Sequence, residues 1–428
     1  MTYLETLDYL YSRLPMFTRI GAAAMKKDLH NTIVMCENLG NPQDKFKSIH
    51  VGGTNGKGST SHMLAAVLQQ AGYKTGLYTS PHLKDFRERI RINGEMISES
   101  FVTSFTAAQQ DLIESISPSF FEVTVAMAFE YFAVEKVDVA IIEVGLGGRL
   151  DSTNIINPEL SVITNISLDH TNLLGNTLAE IASEKAGIIK HGVPVVIGER
   201  QEEVADIFTD KAHQNLSELV FANTTLSVAD VHRQDSFLVA SVDEGQNRLF
   251  KNLKLDLTGT YQLKNMLTVI ESVKVLNQRG FHIPDAAVFS ALENTVQLTG
   301  LQGRWQVLSE HPLVICDTGH NIAGIQEVLE NISATKYNQL HIVIGMLKDK
   351  DVTSVLKLLP TTAKYYFCQP DLERAMPANE LAEKASEFHL YGQVYENVNS
   401  ALTAAKNKAN TDDLIFIGGS TFIVAEVV

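Results

Sequence analysis

Cysteine is rare in this sequence, with Cys36, Cys316 and Cys368 as its three examples among 428 residues. The three are widely separated and form no C-x-x-C pair, which argues against a disulfide framework. Buried free thiols in a reducing compartment are expected instead. The sequence therefore favours a cytoplasmic protein.

Long apolar runs, a basic leader and an excess of positive charge are also missing. Runs such as VDVAIIEVGLGG are too short to cross a bilayer, and the start MTYLETLDYL has no basic region followed by an apolar stretch. A formal net charge of -15 argues against a broad basic surface for nucleic acid. We therefore expect a monomer that acts on small molecules, with neither a membrane nor a nucleic acid as partner.

What the sequence does contain is a repeated alternation of β-rich runs and helical patterns, which predicts a parallel α/β sheet. The clearest runs in the first part are KSIHV, KTGLYTS, VDVAIIEVG, LSVITNI and VPVVIG. Between residues 220 and 258 the pattern becomes loosely alternating and strand-like, as in SFLVASV. A helix is predicted at YQLKNMLTVIESVKVLNQ.

A second alternating series follows TGLQGRWQVL and consists of PLVICD, HIVIGML, KYYFCQP and DLIFIGG. Its pattern is that of a smaller doubly wound domain. We therefore predict an ATPase-type parallel-sheet domain over residues 1–296 and a Rossmann-like domain over residues 297–428.

Residues 50–60 read HVGGTNGKGST and lie between a predicted strand and a predicted helix. Glycines allow the backbone to approach anionic oxygens, and Lys57 supplies a positive charge to phosphate. The stretch departs from the common pattern G-x-x-x-x-G-K-[ST], because Val51 replaces the first glycine and Gly58 replaces the metal-binding hydroxyl. An ordinary glycine-rich turn is the alternative, which this spacing disfavours.

Since a nucleoside triphosphate normally arrives with Mg²⁺, other strand ends must offer oxygen ligands. Ser80 ends one predicted strand, Glu143 lies near the end of another, and a third leads to the pair Asp169–His170. Glu143 interrupts an apolar run, where a carboxylate is costly unless it is paired or bound to metal. A buried salt bridge to Arg149 is the alternative for Glu143, and a structural histidine is the alternative for His170.

The second domain offers VICDTGHN, which places Asp317, His320 and Asn321 just past a strand end. An Asp/Asn turn with helix capping is the alternative there. Arg304, in GRWQ, is an equally good candidate for a phosphate contact or a surface ion pair. Asn265, in YQLKN, has an amide that can read an adenine edge, although one asparagine is weak evidence.

In the segment LAEIASEKAG, Lys185 shares one helical face with Leu178, Ile181 and Ala182. The spacing puts this lysine in line with an apolar stripe. A stem that packs while its ammonium extends to water is one interpretation. A buried amine of lowered pKa is the other.

Seven segments together resemble the folylpolyglutamate synthase and dihydrofolate synthase family, ATP-dependent amide ligases related to the Mur ligases. They are HVGGTNGKGST, YTSPHLKDFRERIRING, IIEVGLGGRLDSTN, LDHTNLLGNTLAEIASEKAGIIK, YQLKN, GRW and DTGHN. The resemblance runs along the whole chain, and the family's loop normally carries a glycine after the lysine.

The resemblance implies a role for each candidate residue. The ATP phosphates would be held by Asn55, Gly56, Lys57, Gly58 and Ser59. One or two Mg²⁺ ions would be held by Ser80, Glu143 and His170. Further ATP contacts would come from Asn265, Arg304 and Asp317, with Asn265 toward the adenine.

Four catalytic residues also follow from the resemblance, and Lys57 of the phosphate loop is one of them. Lys185 matches a lysine that the family can carry as a carbamate, and Asp317 and His320 match a catalytic motif of the second domain. The chain departs from that motif at Thr318, where a smaller residue is expected, and at Ile322, where proline is expected.

The implied reaction joins L-glutamate to a folate at the expense of ATP, through an acyl phosphate. Whether dihydropteroate is also a substrate stays open. The alternatives are a Mur-type amino-acid ligase of cell-wall precursor synthesis, a kinase or switch that makes no amide, and a nucleotide-binding module without catalysis. The segments YTSPHLKDFRERI and PSFFEVT favour a folate.

Overall fold

The computed structural model describes residues 1–16, 21 and 28–428, and these residues form two compact units. The first unit consists of Met1–Asp256 and Gln262–Gly300. The second consists of Leu257–Tyr261 and Leu301–Val428. A five-residue segment of the second unit therefore interrupts the sequence of the first.

The first unit is built on an eight-stranded sheet of order β4-β3-β2-β5-β1-β6-β7-β8. Its strands are β1 (Lys47–Gly52), β2 (Thr75–Tyr78), β3 (Ile90–Ile92), β4 (Glu95–Met96), β5 (Val139–Glu143), β6 (Leu160–Ile163), β7 (Val195–Ile197) and β8 (Leu219–Phe221). Six neighbouring strands of this sheet are parallel, in the order β2-β5-β1-β6-β7-β8. All five predicted runs of the first part form strands of this sheet.

Strands β3 and β4 extend the sheet as an antiparallel hairpin that the periodicity did not predict. Asn93 and Gly94 form its turn, with φ of 48° and 83°. Consecutive positive φ values at an Asn-Gly pair are typical of the tight turn that matches the twist of a hairpin. The signal was present in the sequence, but each strand is too short for its pattern to be recognised.

The helices of the first unit are α1 (Tyr3–Arg13), α2 (His30–Asn38), α3 (Lys57–Gln70), α4 (Glu99–Ile116), α5 (Phe120–Val134), α6 (Thr171–Leu174), α7 (Leu178–Ala186), α8 (Ala205–Gln214), α9 (Ala222–Thr225), α10 (Gln262–Gln278), α11 (Asp285–Glu293) and α12 (Thr295–Thr299). Helix α3 is buried on all sides from Ser59 to Leu68, because it packs against β2, β5, α10 and α11. This burial holds the start of α3 rigidly beside the end of β1.

A separate antiparallel sheet of order β11-β10-β9 accounts for the strand-like stretches predicted between residues 220 and 258. Its strands are β9 (Leu226–Gln234), β10 (Phe237–Glu244) and β11 (Asn247–Leu255). Residues of positive φ, Asp235 and Gly245, lie in its two turns. The predicted helix at YQLKNMLTVIESVKVLNQ is confirmed as α10.

The second unit has a six-stranded sheet of order β12-β13-β17-β14-β15-β16, parallel except for β12. The strands are β12 (Gln306–Glu310), β13 (Leu313–Cys316), β14 (Leu340–Ile344), β15 (Lys364–Phe367), β16 (Gly392–Val394) and β17 (Leu414–Gly418). The helices are α13 (Ile322–Ser333), α14 (Val352–Leu358), α15 (Ala378–Ser386), α16 (Val398–Lys408) and α17 (Thr421–Ala425). The predicted fold class, two successive α/β domains with parallel sheets, is confirmed.

Cys36, Cys316 and Cys368 are buried free thiols, as the sequence predicted. Burial raises the pKa of each thiol, to about 12 for Cys36 and Cys316, which keeps the thiols protonated and unreactive. In the part of the chain that the structure describes, no helix has both the length and the apolar character needed to cross a bilayer.

Candidate nucleotide and metal site

The loop between β1 and α3 requires glycine at two of its positions. Gly53 has a φ of 131°, and a Cβ there would lie 1.9 Å from the Thr164 hydroxyl oxygen. Gly56, which precedes the first turn of α3, has a φ of 86°, and a Cβ there would lie 2.3 Å from Asn265 Oδ1. Both positions combine an unfavourable φ with a steric clash, so no other residue fits them.

The loop is held in place by the segment that follows β6. The Thr54 amide donates to the Asn165 carbonyl (2.8 Å), and the Asn55 amide donates to Asn165 Oδ1 (3.0 Å). The Thr164 hydroxyl donates to the Asn55 carbonyl (2.6 Å), and Asn55 Nδ2 donates to Ser167 Oγ (3.1 Å). These bonds preorganise a backbone that would otherwise lose much entropy when it binds a ligand.

Two lysine ammonium groups meet at one carbonyl of this loop. Lys57 Nζ donates to the carbonyls of Gly53 (3.2 Å) and Thr54 (3.1 Å), and Lys185 Nζ donates to the Gly53 carbonyl (2.7 Å). The Lys185 residue is only 4% exposed. The interpretation in which its ammonium extends to water is therefore wrong.

The electrostatic surroundings of Lys185 favour its neutral form. Burial, and after it the charge of Lys57, lowers the pKa of Lys185 to about 7, while Asp169 and Asp151 act in the opposite direction. A lysine with such a pKa is a substantial fraction neutral amine at neutral pH. Lys185 therefore lies next to the glycine loop in surroundings that disfavour its protonated form.

Ser59 and Asn265 are joined through a residue that the sequence did not single out. Gln262 Nε2 donates to Ser59 Oγ (3.1 Å), and Asn265 Nδ2 donates to Gln262 Oε1 (2.8 Å). All three residues are buried. Gln262 and Asn265 lie one turn apart at the start of α10, a spacing that the sequence displays, but their partner 203 residues away could not be inferred from it.

Ser80 and Glu143 are in contact at the carboxyl end of the first sheet. The Ser80 amide donates to Glu143 Oε2 (3.0 Å), and Glu143 is 4% exposed. Glu143 also pairs in register with Val51, next to the glycine loop. The proposed salt bridge from Glu143 to Arg149 does not form, because the Arg149 guanidinium binds Glu184 (2.8 Å).

His170 precedes α6 and has a positive φ of 49°, and its amide donates to Asp169 Oδ1 (2.8 Å). Within the described ranges, no three side chains of His, Cys, Asp or Glu are grouped so that they could hold a metal ion by themselves. The candidate set contains a serine and only two residues of those types. The carboxylate of Glu143 and the hydroxyl of Ser80 are oxygen donors of the kind that Mg²⁺ prefers, so these two residues fit an ion whose remaining ligands include phosphate and water.

In the second unit, Asp317 is a buried carboxylate at the end of β13. Its Oδ2 accepts from the Trp305 amide (2.7 Å) and the Tyr261 hydroxyl (2.5 Å), and its Oδ1 accepts from the Gly319 amide (2.8 Å). Burial raises the pKa of Asp317, against the lowering effects of these hydrogen bonds and of Arg304. The turn alternative describes part of this arrangement, because the bond from the Gly319 amide is that of an Asp turn, but the carboxylate also binds Tyr261 and Trp305.

The capping alternative does describe Asn321, whose Oδ1 accepts from the Gly324 amide (2.8 Å) at the start of α13. His320 Nδ1 lies 3.0 Å from the Thr318 carbonyl, so this nitrogen carries the proton. Ile322 is the first residue of α13, a position that also accepts proline. The departure at Ile322 therefore falls at a helix position that accepts either residue.

Arg304 is half-buried, and none of the described side chains or carbonyls accepts a hydrogen bond from its guanidinium. Asp317 and Arg304 attract one another electrostatically. Phe120 and Glu122, in the segment PSFFEVT, are both buried. Glu122 accepts a hydrogen bond from the Ser119 amide (2.6 Å) and thereby completes the cap of α5.

Two protein-family descriptions match this chain. The Mur ligase middle domain matches residues 51–273, and the Mur ligase glutamate ligase domain matches residues 303–421. The dihydrofolate synthase/folylpolyglutamate synthase of Bacillus subtilis (strain 168) is 33% identical over 443 residues, which cover 99% of this chain and 98% of that protein. The folylpolyglutamate synthase of Lacticaseibacillus casei is 32% identical over 439 residues, with 100% and 98% covered.

Solved structures give the same result. Escherichia coli FolC in complex with DHPP and ADP has a TM-score of 0.87 and 30% identity, covering 100% of this chain and 97% of that one. A folylpolyglutamate synthase from Thermotoga maritima has a TM-score of 0.82 and 33% identity, covering 99% and 95%. Sequence and structural similarity thus extend over both units.

Proposed function

We propose, from the premise that this chain belongs to the folylpolyglutamate synthase/dihydrofolate synthase family of the Mur ligase superfamily, that it is the ATP-dependent ligase that adds L-glutamate to folates. One observation carries the proposal: the rigid glycine loop with Lys57 and Lys185 on the Gly53 carbonyl. The similarity over the full chain to relatives named for folate favours this substrate over a cell-wall precursor.

The glycine loop is the proposed phosphate site. Asn55, Gly56, Lys57, Gly58 and Ser59 would surround the phosphates of ATP, with the amides at the start of α3 directed at anionic oxygens. Lys57 Nζ already points back over the loop, where it donates to backbone carbonyls. A phosphate would compete for this ammonium by offering a full negative charge in place of a carbonyl dipole.

Ser80, Glu143 and His170 are the residues that we propose as magnesium ligands. The buried Glu143 carboxylate is the only anion of the set, so it would contribute most of the attraction for a divalent cation. Mg²⁺ would neutralise phosphate charge and align the transferred group. The contact between Ser80 and Glu143 fixes the direction of the carboxylate before any ion arrives.

The proposed chemistry has two steps. A folate carboxylate oxygen attacks the γ-phosphorus of ATP, which releases ADP and gives an acyl phosphate. The glutamate α-amine then attacks the acyl carbon, a proton is lost from nitrogen, and phosphate leaves. Because an acyl phosphate hydrolyses readily, the protein must orient the reactants and exclude water.

Asp317, His320 and Arg304 are proposed as the contribution of the second unit, and Asn265 as an adenine contact of the first. Arg304 offers a guanidinium with no hydrogen-bond acceptor among the described residues, which suits it to a phosphate. Asp317 is oriented by three hydrogen bonds, which suits a residue that must hold one direction in catalysis. His320 donates from Nδ1 to the Thr318 carbonyl, which orients its ring.

Lys185 is proposed to react with CO₂. The neutral amine attacks carbon and loses a proton, which gives an N-carboxylate with one negative charge. Burial supplies the neutral amine that this step needs. The anion would offer oxygen ligands to a second Mg²⁺, which the ammonium cannot do.

The test of function is an assay of the purified protein with ATP, Mg²⁺ and glutamate, offered a reduced folate and dihydropteroate separately. We expect glutamate-dependent release of ADP and a folate product heavier by one glutamate residue, read by mass spectrometry. A second product from dihydropteroate would establish dihydrofolate synthase activity as well. ADP release without amide formation would overturn the proposal in favour of a kinase.

Glu143→Gln tests the metal site. The amide keeps the shape and still accepts from the Ser80 amide, but it removes the only negative ligand. We expect the half-saturating Mg²⁺ concentration to rise ~10-fold or more, with the folate KM and the melting temperature almost unchanged. Glu135→Gln, at an exposed ion pair with Lys74, is the matched control. An unchanged magnesium curve for Glu143→Gln would remove this residue from the metal site.

Asp317→Asn and His320→Ala test the second unit. Turnover should fall on the order of 10- to 100-fold in each, because a directed polar group is lost from the reaction. Asn321→Ala is the matched control, since it removes a helix cap and costs about 1 kcal/mol of stability without touching the reaction. Wild-type rates in both variants would show that this motif is not catalytic.

A further inference from the structure

Among the described residues, the Ser59 hydroxyl accepts a hydrogen bond but donates none. Its oxygen accepts from Gln262 Nε2 (3.1 Å), and the Ser59 residue is 1% exposed. No other described atom accepts the hydroxyl proton, although buried serines usually donate as well as accept. The proton of Ser59 is therefore kept available at the first turn of α3.

The side chain of Gln262 has little conformational freedom. It is fully buried, and its Oε1 accepts from Asn265 Nδ2 (2.8 Å). The amide is therefore fixed at both ends, with its nitrogen toward Ser59 and its oxygen toward Asn265. Because the Gln262 nitrogen can only donate, the Ser59 oxygen must accept, and the Ser59 proton must point away from Gln262.

The same amide also acts on the glycine loop. Asn265 is turned so that its Oδ1 faces the Cα of Gly56, where a Cβ would lie 2.3 Å away. Its other end is bound to Gln262. Gln262 thus touches one residue that contacts the loop and one residue of the first turn of α3, which together define the anion-binding end of the helix.

We propose that Gln262 is a positioning residue of the nucleotide site: it directs the Ser59 proton toward a phosphate oxygen and holds Asn265 against Gly56. The inference rests on the nucleotide site proposed above. If Gln262 only filled space in the interior, its substitution would lower the stability of the protein without a selective loss of nucleotide affinity. If Gln262 is a positioning residue, its substitution should lower nucleotide affinity much more than it lowers stability.

Gln262→Leu removes both hydrogen bonds at similar volume. We expect the Kd for ADP, measured by isothermal titration calorimetry, to rise ~10- to 100-fold, because one charge-assisted bond to phosphate loses its direction. In turnover assays the KM for ATP should rise, whereas the KM for the folate should stay within about twofold of wild type. Gln278→Leu, at the exposed end of the same helix, should change neither constant.

Gln262→Glu provides a second variant if the leucine variant folds poorly. Its carboxylate occupies the same volume and still accepts from Asn265, but it cannot donate to Ser59. The Ser59 hydroxyl would then donate its hydrogen bond to this carboxylate and not to a phosphate oxygen. We therefore expect its affinity for ADP to fall at least as far as that of Gln262→Leu.

A double-mutant cycle with Ser59→Ala identifies the route of the effect. In the Ser59→Ala background, Gln262→Leu should raise the Kd for ADP by a clearly smaller factor than in the wild type, because only the contact through Asn265 is then left to lose. An equal loss in both backgrounds would overturn the proposal. So would wild-type affinity in Gln262→Leu, while the wild type still binds ADP. Failure of the wild type itself to bind ADP would overturn the nucleotide site and this inference with it.

Discussion

Lys57→Ala should lower turnover by at least ~100-fold, because the cation that offsets the transferring phosphoryl charge is lost. The fold should persist. The Lys57 ammonium donates to two loop carbonyls, and when it is removed the Gly53 carbonyl keeps Lys185 as a donor. A melting temperature within a few degrees of wild type should accompany the loss.

The matched control for this variant is Lys251→Ala, which removes an exposed lysine from β11 of the same unit. It should retain wild-type turnover and ADP affinity. Lys57→Ala should also weaken ADP binding in calorimetry, because the charge contacts the nucleotide before the reaction begins. Near-normal activity of Lys57→Ala would exclude the loop from the mechanism, whatever the fate of the other residues.

Lys185→Ala should be nearly inactive, with a loss of at least ~100-fold, and small carboxylates should partly restore its rate. The lost group in our proposal is the carbamate anion, so acetate or formate placed in the vacated space would supply similar oxygen atoms. Rates measured against carboxylate concentration should rise and then saturate. The same additions should leave the wild type and Lys57→Ala unchanged.

Two further substitutions at this position separate charge from volume. Lys185→Arg keeps a cation that cannot react with CO₂ at neutral pH, so it should be inactive and refractory to rescue. Lys185→Met fills the space without charge, so it should fold at least as stably as wild type and also resist rescue. Rescue confined to the alanine variant is the pattern that a carbamate predicts.

The pH dependence gives an independent check on Lys185. Because burial lowers the pKa of Lys185 to about 7, the neutral amine becomes more abundant as pH rises through that value. At constant dissolved CO₂, activation of the wild type should therefore be faster at pH 8 than at pH 6. Full activity of Lys185→Ala without added carboxylate would refute the carbamate.

Much of the fold could be predicted from local pattern. The parallel strands are short, apolar and separated by helical segments, so their burial on both faces of a sheet is visible in the sequence itself. The glycine loop could also be predicted from the sequence. Gly53 and Gly56 adopt backbone conformations, and lie so close to neighbouring atoms, that only glycine fits at these positions. The β3–β4 hairpin was missed because its strands are too short to display a period.

Some residues of the candidate site could be predicted from the sequence, and others required the structure. Lys57, Ser80 and Glu143 could be proposed from the sequence, since each lies at or beyond the end of a predicted strand and parallel strands end at one edge of a sheet. The sequence left two interpretations open for Lys185, because a lysine in an apolar stripe either extends to water or is enclosed. Only packing decides between them, through the desolvation of the amine.

By itself, then, the sequence determined the two α/β sheets and the position of the phosphate loop, since both depend on residues that are neighbours in the chain. The tertiary structure decided that Lys185 binds the Gly53 carbonyl, that Arg149 pairs with Glu184, and that Gln262 orients Ser59. The physical reason is the range of the interactions. Conformational preference acts over a few residues. Burial and hydrogen bonding depend on segments that the folded chain brings together from distant positions, 35 residues apart for Arg149–Glu184 and 132 for Lys185–Gly53.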